Sequence, residues 1–181
     1  MRPRVRRLKS DYESMLSEFT KHKYISFESL NENSEYPDKY IVHYKNISSV
    51  RLSADSQKGN ILVDRITLHT AEIYLHNEYP RIKPQCFLLT EIFHPNIRKS
   101  SPNDICIGDY WSSGETLVDI VYQIGEMIMF QNYNIKSPLN GVAAKWAREN
   151  ESLFPIDSTN IRSPELDVKL TAKKNIDIEL K

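Results

Sequence analysis

The sequence has few of the residues that would point to a disulfide-bonded, metal-binding or membrane protein. Its 181 residues include two cysteines, Cys86 and Cys106, and five glycines. Two cysteines are too few for a disulfide framework or for a metal site made of cysteine alone, so we expect no metal, no cofactor and a reducing compartment. No apolar run approaches the roughly 20 residues of a membrane-spanning helix, and the basic N-terminus is not followed by the apolar stretch of a secretory signal. We therefore expect a cytoplasmic or nuclear protein without a membrane partner.

The chain also lacks an excess of charge of either sign. Lys plus Arg equals Asp plus Glu, at 24 each, so no global electrostatic field attracts nucleic acid, and we expect no such partner. The main local exception is the opening "MRPRVRRLK", which contains Arg6 and Arg7. This basic stretch has two interpretations at this stage, a solvated helix end or a docking patch.

Hydrophobic periodicity divides the chain into helical and extended parts. The N-terminal apolar residues recur at steps of three and four, which predicts an amphipathic helix of roughly four turns; they are Val5, Leu8, Tyr12, Met15, Leu16 and Phe19. Between residues 24 and 92 the segments "KYIVHYKNI", "ITLHTAEIYL" and "QCFLLTEI" are rich in β-branched and aromatic residues, which predicts three or four antiparallel strands. The apolar phase of the second segment changes, so we expect a bulge or a break near Thr70.

The helical period returns after Trp111. Ser112 and Glu115 have the spacing of a capping box, and a first helix carries Leu117, Val121, Ile124 and Ile128 on one face. A second helix after Pro138 is expected to bury Val142, Ala143, Trp146 and Ala147 and to end near Pro155. The sequence thus predicts an α+β fold: an N-terminal helix, an antiparallel meander of about four strands, a long loop and two C-terminal helices.

The last part of the chain has a different pattern. "ELDVKL" and "NIDIEL" alternate apolar and charged residues, which is typical of short strands. We therefore predict a core of residues 1–155 and a tail of residues 156–181 with two short strands, a marginal arrangement unless it packs on the core or on a partner.

Cys106 lies in the long loop without an obvious activating group. Asp104 and Asp109 are close in sequence and no basic residue is adjacent, so nothing local favours the thiolate. His94 is the nearest imidazole, and Pro95 restricts it to an extended conformation. A self-activated protease cysteine is therefore not expected, and His94 is interpreted as a structural residue.

The residues around this loop resemble the catalytic core of ubiquitin-conjugating enzymes in order, spacing and type. The resemblance rests on "EYPRIKPQCFLLTEIFHPNI", "ICIG", "YWSSGETLVDIVYQI" and "SPLNGVAAKWARENESLF", covering about residues 78 to 154, and on "RRLKSDYESML" near the N-terminus. It implies that the long loop is catalytic and that Cys106 receives a ubiquitin-like protein as a thioester from an activating enzyme and passes it to an amine. A thioester is already activated and held close, so this chemistry needs little thiolate at rest.

The resemblance also assigns roles to neighbouring residues. Asn96 either donates to the oxyanion formed during transfer or supports the loop, while His94 and Pro95 are structural. Ser137 stands where many members carry an aspartate that helps to orient the incoming lysine, and it is a candidate acceptor gate without charge. The basic N-terminal helix with Arg6 and Arg7 implies docking to the activating enzyme.

Other departures from the family pattern affect the expected partners. Arg81 and the pair Ser113-Gly114 replace the apolar residues through which RING-type ligases bind, and buried anchors dominate such interfaces. A conventional RING partner is therefore doubtful. The loop from His94 to Cys106 is slightly longer than usual and the step from Cys106 to Trp111 is shorter. These differences suggest a divergent branch, such as a bacterial conjugation pathway with an antiviral role.

Two other functions compete with the carrier. The first is an inactive variant that binds a ubiquitin-like protein or scaffolds a complex, although the presence of both Cys106 and Asn96 argues against it. The second is a cysteine hydrolase that uses Cys106 and His94, which lacks an evident third residue to orient the imidazole.

Overall fold

A computed structural model describes residues 2–32, 34–54, 61–108 and 110–162. Its three α-helices are α1 (Pro3–Phe19), α2 (Leu117–Ile128) and α3 (Gly141–Glu149), with a short 3₁₀ turn at Glu151–Leu153. The strands are β1 (Ile25–Leu30), β2 (Lys39–Ala54), β3 (Ile61–Tyr74), β4 (Gln85–Leu88), β5 (Ile97–Arg98) and β6 (Asn103–Ile105). In the described ranges, no helix is long and apolar enough to cross a bilayer.

The strands form one antiparallel sheet in the order β1-β2-β3-β4-β6-β5. The first four are a meander, and the two short strands extend it at the edge that leads into the Cys106 loop. Helices α1 and α2 contact each other, and their apolar residues join the main core together with the inner face of the sheet. The α+β fold and the order of its elements are therefore confirmed.

The irregularity expected in the second apolar segment is present, but in the neighbouring strand. Thr70 of β3 pairs regularly with His43, and the register shifts between Lys45 and Ser49 of β2. Asn46 has a φ of 59°, in the left-handed region that bulges use. The prediction of a bulge near Thr70 is therefore wrong in its location, because the extra residues lie in β2.

The start of α2 also differs from the prediction. Its N-cap is Thr116, whose hydroxyl accepts from the Asp119 amide at 3.1 Å while the Asp119 carboxylate accepts from the Thr116 amide at 3.2 Å. The Ser112 and Glu115 capping box is therefore wrong, because residues 112–115 form a turn before the helix. The four residues expected on the buried face of α2 are all buried.

Helix α3 packs through small residues. Asn140 caps its N-terminus by accepting from the Ala143 amide at 3.1 Å, and Ala143, Ala144 and Ala147 are buried. Val142 was expected in the core but is 71% exposed. Trp146 packs instead in a second cluster with Phe130, Tyr133 and Phe154.

Residues 156–162, the first part of the predicted tail, lie against the core. Ile161 is 1% exposed, and its carbonyl accepts a hydrogen bond from His22 Nε2 at 2.9 Å. Arg162 is ion-paired with Glu126 of α2 at 2.5 Å. The two strands predicted within residues 166–180 lie outside the described residues, and the boundary at 155 stays a prediction.

Candidate functional site

Cys106 follows β6 directly and lies partly exposed at the border of two cavities. Its amide donates to the Asn96 carbonyl at 3.0 Å, which ties the start of the loop to the His-Pro-Asn turn. One cavity, of about 100 Å³, is also lined by Asn96 and Ser137. The other, of about 310 Å³, is lined by Lys83 and Asp104. Cys106 thus contributes to the lining of both cavities.

Asn96 is buried, and its side-chain amide binds the backbone of Asn134 at both ends. Its Nδ2 donates to the Asn134 carbonyl at 2.8 Å, and its Oδ1 accepts from the Asn134 amide at 2.7 Å. These two hydrogen bonds fix the segment after α2 against the turn that holds Cys106. Of the two roles left open by the sequence, the geometry of Asn96 favours support of the loop.

His94 is fully buried and has no contact that suits a general base. Its Nδ1 accepts from the Asn96 amide at 3.1 Å, and its ring packs on Phe130 with centroids 4.4 Å apart. Burial lowers the pKa of His94 to about 3. An imidazole with so low a pKa is too weak a base to take the proton of a thiol at physiological pH, which argues against a hydrolase that uses His94 and Cys106.

Ser137 and Cys106 both line the smaller cavity. The Ser137 amide donates to the Asn134 side chain at 3.3 Å, and Leu139 and Asn140 both donate their amides to the Pro95 carbonyl at 2.9 Å. Pro95 thus joins the His-Pro-Asn turn to the start of α3. These contacts place the 134–140 segment along one wall of the site.

Sequence reasoning missed two residues that bind the Cys106 loop. Gln123 of α2 donates through Nε2 to the Ile107 carbonyl at 2.8 Å, and Lys83, between β3 and β4, donates through Nζ to the Gly108 carbonyl at 2.6 Å. No basic residue adjoins Cys106 in sequence, yet Lys83 borders the same cavity. A lone lysine 23 positions upstream carries no pattern that could have indicated this contact.

Cys86 has a different environment from Cys106. It lies in β4, is 3% exposed, and burial raises the pKa of its thiol to about 12. The interpretation of Cys86 as a structural thiol agrees with this position. Among the described residues, no group of three or more His, Cys, Asp and Glu is arranged to hold a metal ion.

Comparison with known proteins places this geometry in a family. The family model described as "Ubiquitin-conjugating enzyme" matches residues 65–160, which is more than half of the chain. The chain belongs to the ubiquitin-conjugating enzyme family. No curated protein matches it.

Solved structures of ubiquitin-conjugating enzymes share the fold at low sequence identity. A putative ubiquitin-conjugating enzyme from Plasmodium yoelii is 20% identical, with a TM-score of 0.57 over 86% of this chain and 90% of that one. A structure titled "Novel Ubiquitin-Conjugating Enzyme" is 22% identical, with a TM-score of 0.57 over 85% and 91%. The E2 domain of a Toxoplasma gondii enzyme is 21% identical, with a TM-score of 0.53 over 83% and 91%. These likenesses support the ubiquitin-conjugating fold.

Of the basic residues expected to face partners of a ubiquitin-conjugating enzyme, Arg7 faces inward. Its guanidinium binds Asp11 at 2.8 Å, the Tyr79 hydroxyl at 2.8 Å, the Ser113 carbonyl at 2.5 Å and the Glu115 carbonyl. The expectation that Arg7 is a docking residue is therefore corrected: its donors join α1 to two loops of the same molecule.

Arg6 and Arg81 occupy surface positions. Arg6 is exposed on α1, and Arg81 is exposed and ion-paired with Glu78. Near Arg81, Trp111 donates through Nε1 to the Pro80 carbonyl at 2.8 Å, which brings the two loops that carry Arg81 and Ser113-Gly114 together. These two adjacent loops thus present a charged residue and small residues at their surface.

A further cavity, of about 510 Å³, does not include Cys106 in its lining. Its lining includes Leu52 of β2, Phe93, Ile97 and Val142 of α3. Size therefore does not identify the reactive site, because this cavity is larger than the two that Cys106 lines and its lining contains no thiol.

Proposed function

We propose that this protein carries ubiquitin or a ubiquitin-like protein as a thioester on Cys106, receives it from an activating enzyme, and transfers it to an amine. Membership of the ubiquitin-conjugating enzyme family supports the reaction class. The observation that carries the proposal is the position of Cys106, a partly exposed thiol bordering two cavities with its amide held by Asn96. The Cys106 sulfur attacks the incoming thioester carbonyl, the activating enzyme's sulfur leaves, and the proton of the Cys106 thiol passes to that leaving sulfur. In the second step the amine attacks, the bond to Cys106 breaks, and the proton that the amine gives up passes to the Cys106 sulfur.

The smaller cavity beside Cys106 has no charged side chain in its lining. This is consistent with a transfer whose rate depends on how the acceptor is positioned. A bound acceptor gains rate mainly from being held near the thioester, since proximity and orientation replace strong acid–base assistance. Ser137 offers this acceptor a hydroxyl and no charge, so we propose a weaker preference for lysine than an aspartate would give. The same chemistry applies whether the modifier is ubiquitin or the ubiquitin-like protein of a bacterial pathway.

Charging assays test the proposal directly. The chain is incubated with activating enzyme, modifier and ATP, and adducts are resolved with and without reductant. We expect a reductant-labile adduct for the wild type and for Cys86→Ala, and a reductant-stable oxyester or no adduct for Cys106→Ser. Charging that persists in Cys106→Ser as a reductant-labile adduct, or that is lost in folded Cys86→Ala, contradicts the assignment of Cys106. A folded wild type that binds modifier without any adduct across several activating enzymes supports the scaffold instead.

A further inference from the structure

Three successive residues of the reactive loop are each held by a different part of the molecule. The Cys106 amide donates to the Asn96 carbonyl at 3.0 Å, the Ile107 carbonyl accepts from Gln123 at 2.8 Å, and the Gly108 carbonyl accepts from Lys83 at 2.6 Å. The holders come from the His-Pro-Asn turn, from α2 and from the loop between β3 and β4. We call these three contacts the loop clamp.

The clamp is needed because this part of the chain has no regular structure of its own. Strand β6 ends at Ile105 and α2 begins at Leu117, so no strand ladder or helix pairs the carbonyls of Ile107 and Gly108. Gly108 has a φ of 110°, a conformation that residues with a Cβ rarely adopt. The loop therefore turns at Gly108, and side chains from elsewhere must fix its path.

Lys83 contributes the strongest of the contacts. Hydrogen bonds from a charged donor are roughly twice as strong as neutral ones, and Lys83 is only partly exposed, so water competes less for its ammonium. Its partner atom lies two residues after Cys106, and Lys83 borders the cavity that Cys106 also borders. Gln123 binds Ile107, the residue between them, and lines the other cavity.

We infer that Lys83 and Gln123 are positioning residues that hold the Ile107 and Gly108 carbonyls, and thereby keep the Cys106 sulfur at the junction of the two cavities during transfer. This inference rests on the proposed function for its effect on rate. Misplacement of a reacting atom by about 1 Å can cost on the order of 10²-fold in rate. Neither side chain exchanges a proton with the acceptor.

The test uses isosteric removal and rescue in the full-length chain. Lys83→Met and Gln123→Met keep an apolar stem of similar length and remove the donor, whereas Lys83→Arg keeps a charged donor. Lys99→Met is the matched control, because Lys99 is exposed and paired with Glu91 outside both cavities. Thermal melts of all variants accompany the assays, so that a general loss of stability is separated from an effect on the loop.

The first readout needs no activity. Hydrogen exchange of the Cys106 amide reports how often the loop opens. We expect exchange about tenfold faster in Lys83→Met and in Gln123→Met, wild-type exchange in Lys99→Met, and substantial recovery in Lys83→Arg. Unchanged exchange in both Met variants overturns the clamp. Failure of Lys83→Arg to recover overturns the role of the Lys83 donor.

The second readout is single-turnover discharge of the pre-charged protein to hydroxylamine, a small amine that needs no docking surface. We expect about tenfold slower discharge in each Met variant, recovery in Lys83→Arg, and no change in the KM of charging for the activating enzyme. Because the two residues hold one loop, the double variant should lose less than the product of the single losses. Faster exchange with wild-type discharge overturns the positioning role. Absence of any thioester in the wild type overturns the proposed function only, since hydrogen exchange still tests the clamp.

Discussion

Asn96 illustrates at the residue scale how one side chain can organise a reactive site. Both ends of its amide bind the Asn134 backbone, while its own carbonyl holds the Cys106 amide. The residue thus connects the nucleophile's loop with the segment after α2. A side chain used in this way is not free to reorient toward a developing oxyanion, although Nδ2 retains a second hydrogen.

Replacing Asn96 should therefore affect both stability and transfer. In Asn96→Ala the Asn134 amide and carbonyl lose their partners, which we expect to cost about 1–2 kcal/mol and to lower the melting temperature. We also expect charging and discharge both to slow, because both use the Cys106 loop. Asn96→Asp keeps the acceptor but places a carboxylate oxygen against the Asn134 carbonyl, so it should be no more stable than Asn96→Ala. A wild-type melting temperature and normal charging, combined with slow discharge, would instead indicate direct donation to the oxyanion.

His94 makes the stability of the fold depend on pH. Burial lowers its folded pKa to about 3 from 6.5, and burial lowers that of His69 as well. Between pH 3 and pH 6.5, His94 binds a proton in the unfolded chain but not in the folded chain. Its neutral, buried form therefore stabilises the fold above about pH 6.5, and this stabilisation is lost as pH falls. For His94 we expect a loss of about 2 kcal/mol between pH 7 and pH 5.

Urea unfolding at pH 7 and pH 5, at constant ionic strength, measures this difference. In His94→Gln the difference should shrink, since the titrating group is absent. His69→Gln provides the same comparison if the first variant does not fold. Equal free energies of unfolding for the wild type at the two pH values would show that His94 is protonated or accessible in the folded state.

Helix α1 has two kinds of basic residue at the scale of the element. Arg7 lies on the face that packs on the core and bonds to Asp11, Tyr79 and the loop before α2, whereas Arg6 is exposed on the other side. The basic run in the sequence therefore separates into a structural cation and a surface cation. Only the exposed one is suited to docking an activating enzyme.

Charge reversal should separate the two residues. Arg7→Glu places a carboxylate against the buried Asp11 and removes the donors to Tyr79 and Ser113, so we expect a loss of stability on the order of 3–5 kcal/mol. Arg6→Glu should leave the melting temperature unchanged and slow charging several-fold at low salt, with a smaller effect as salt screens the contact. Lys21→Glu, at an exposed position beyond α1, is the charge-matched control. Equal charging by Arg6→Glu and the wild type at every salt concentration leaves only the solvated-helix interpretation.

Across the whole molecule, the features that follow from local geometry could be predicted from the sequence. The buried face of α2 and the strand character of Cys86 depend on the helical period and on residue type, which act over a few residues. The start of α2 could not, because Ser112 with Glu115 and Thr116 with Asp119 have the same spacing. The Arg7 side chain favours the cap at Thr116, because it binds the Ser113 and Glu115 carbonyls outside the helix.

The candidate site shows the same division between local and distant effects. The His-Pro-Asn turn and Cys106 could be found as a motif, since they are close in sequence. Three other contacts of the site join residues that are 16 to 38 positions apart: Lys83 with Gly108, Gln123 with Ile107, and Asn96 with Asn134. Such contacts are set by the packing of α2 and the strand connections around the loop, which no periodicity encodes.

The C-terminal part of the described chain should be necessary for a stable core. Residues 156–162 first lie beside the C-terminal end of α2. They then cross the sheet and contact the region of α1 and α2. Gln131 donates to the Asp157 and Thr159 carbonyls at 2.8 and 2.9 Å, and Asp157 accepts from the Ser48 amide at 2.7 Å. The side chain of Ile161 fills the space over Gly125, where an added Cβ would lie 2.5 Å from Ile161 Cδ1. From these contacts we predict that the folded unit extends beyond residue 155.

Chemical denaturation of point variants and truncations tests this extension of the core. Ile161→Ala should lose about 2–4 kcal/mol, because it removes a buried side chain and leaves a cavity. Gly125→Ala should also destabilise, although alanine favours a helix by about 1 kcal/mol over glycine, since its Cβ meets Ile161 and Tyr44. Leu153→Ala, at a position 53% exposed, is the control and should change stability by less than about 0.5 kcal/mol.

A chain ending at residue 155 should be clearly less stable than one ending at residue 162, because only the second keeps Ile161 and the ion pair of Arg162 with Glu126. Equal stability of the two truncated chains would return the boundary of the core to residue 155.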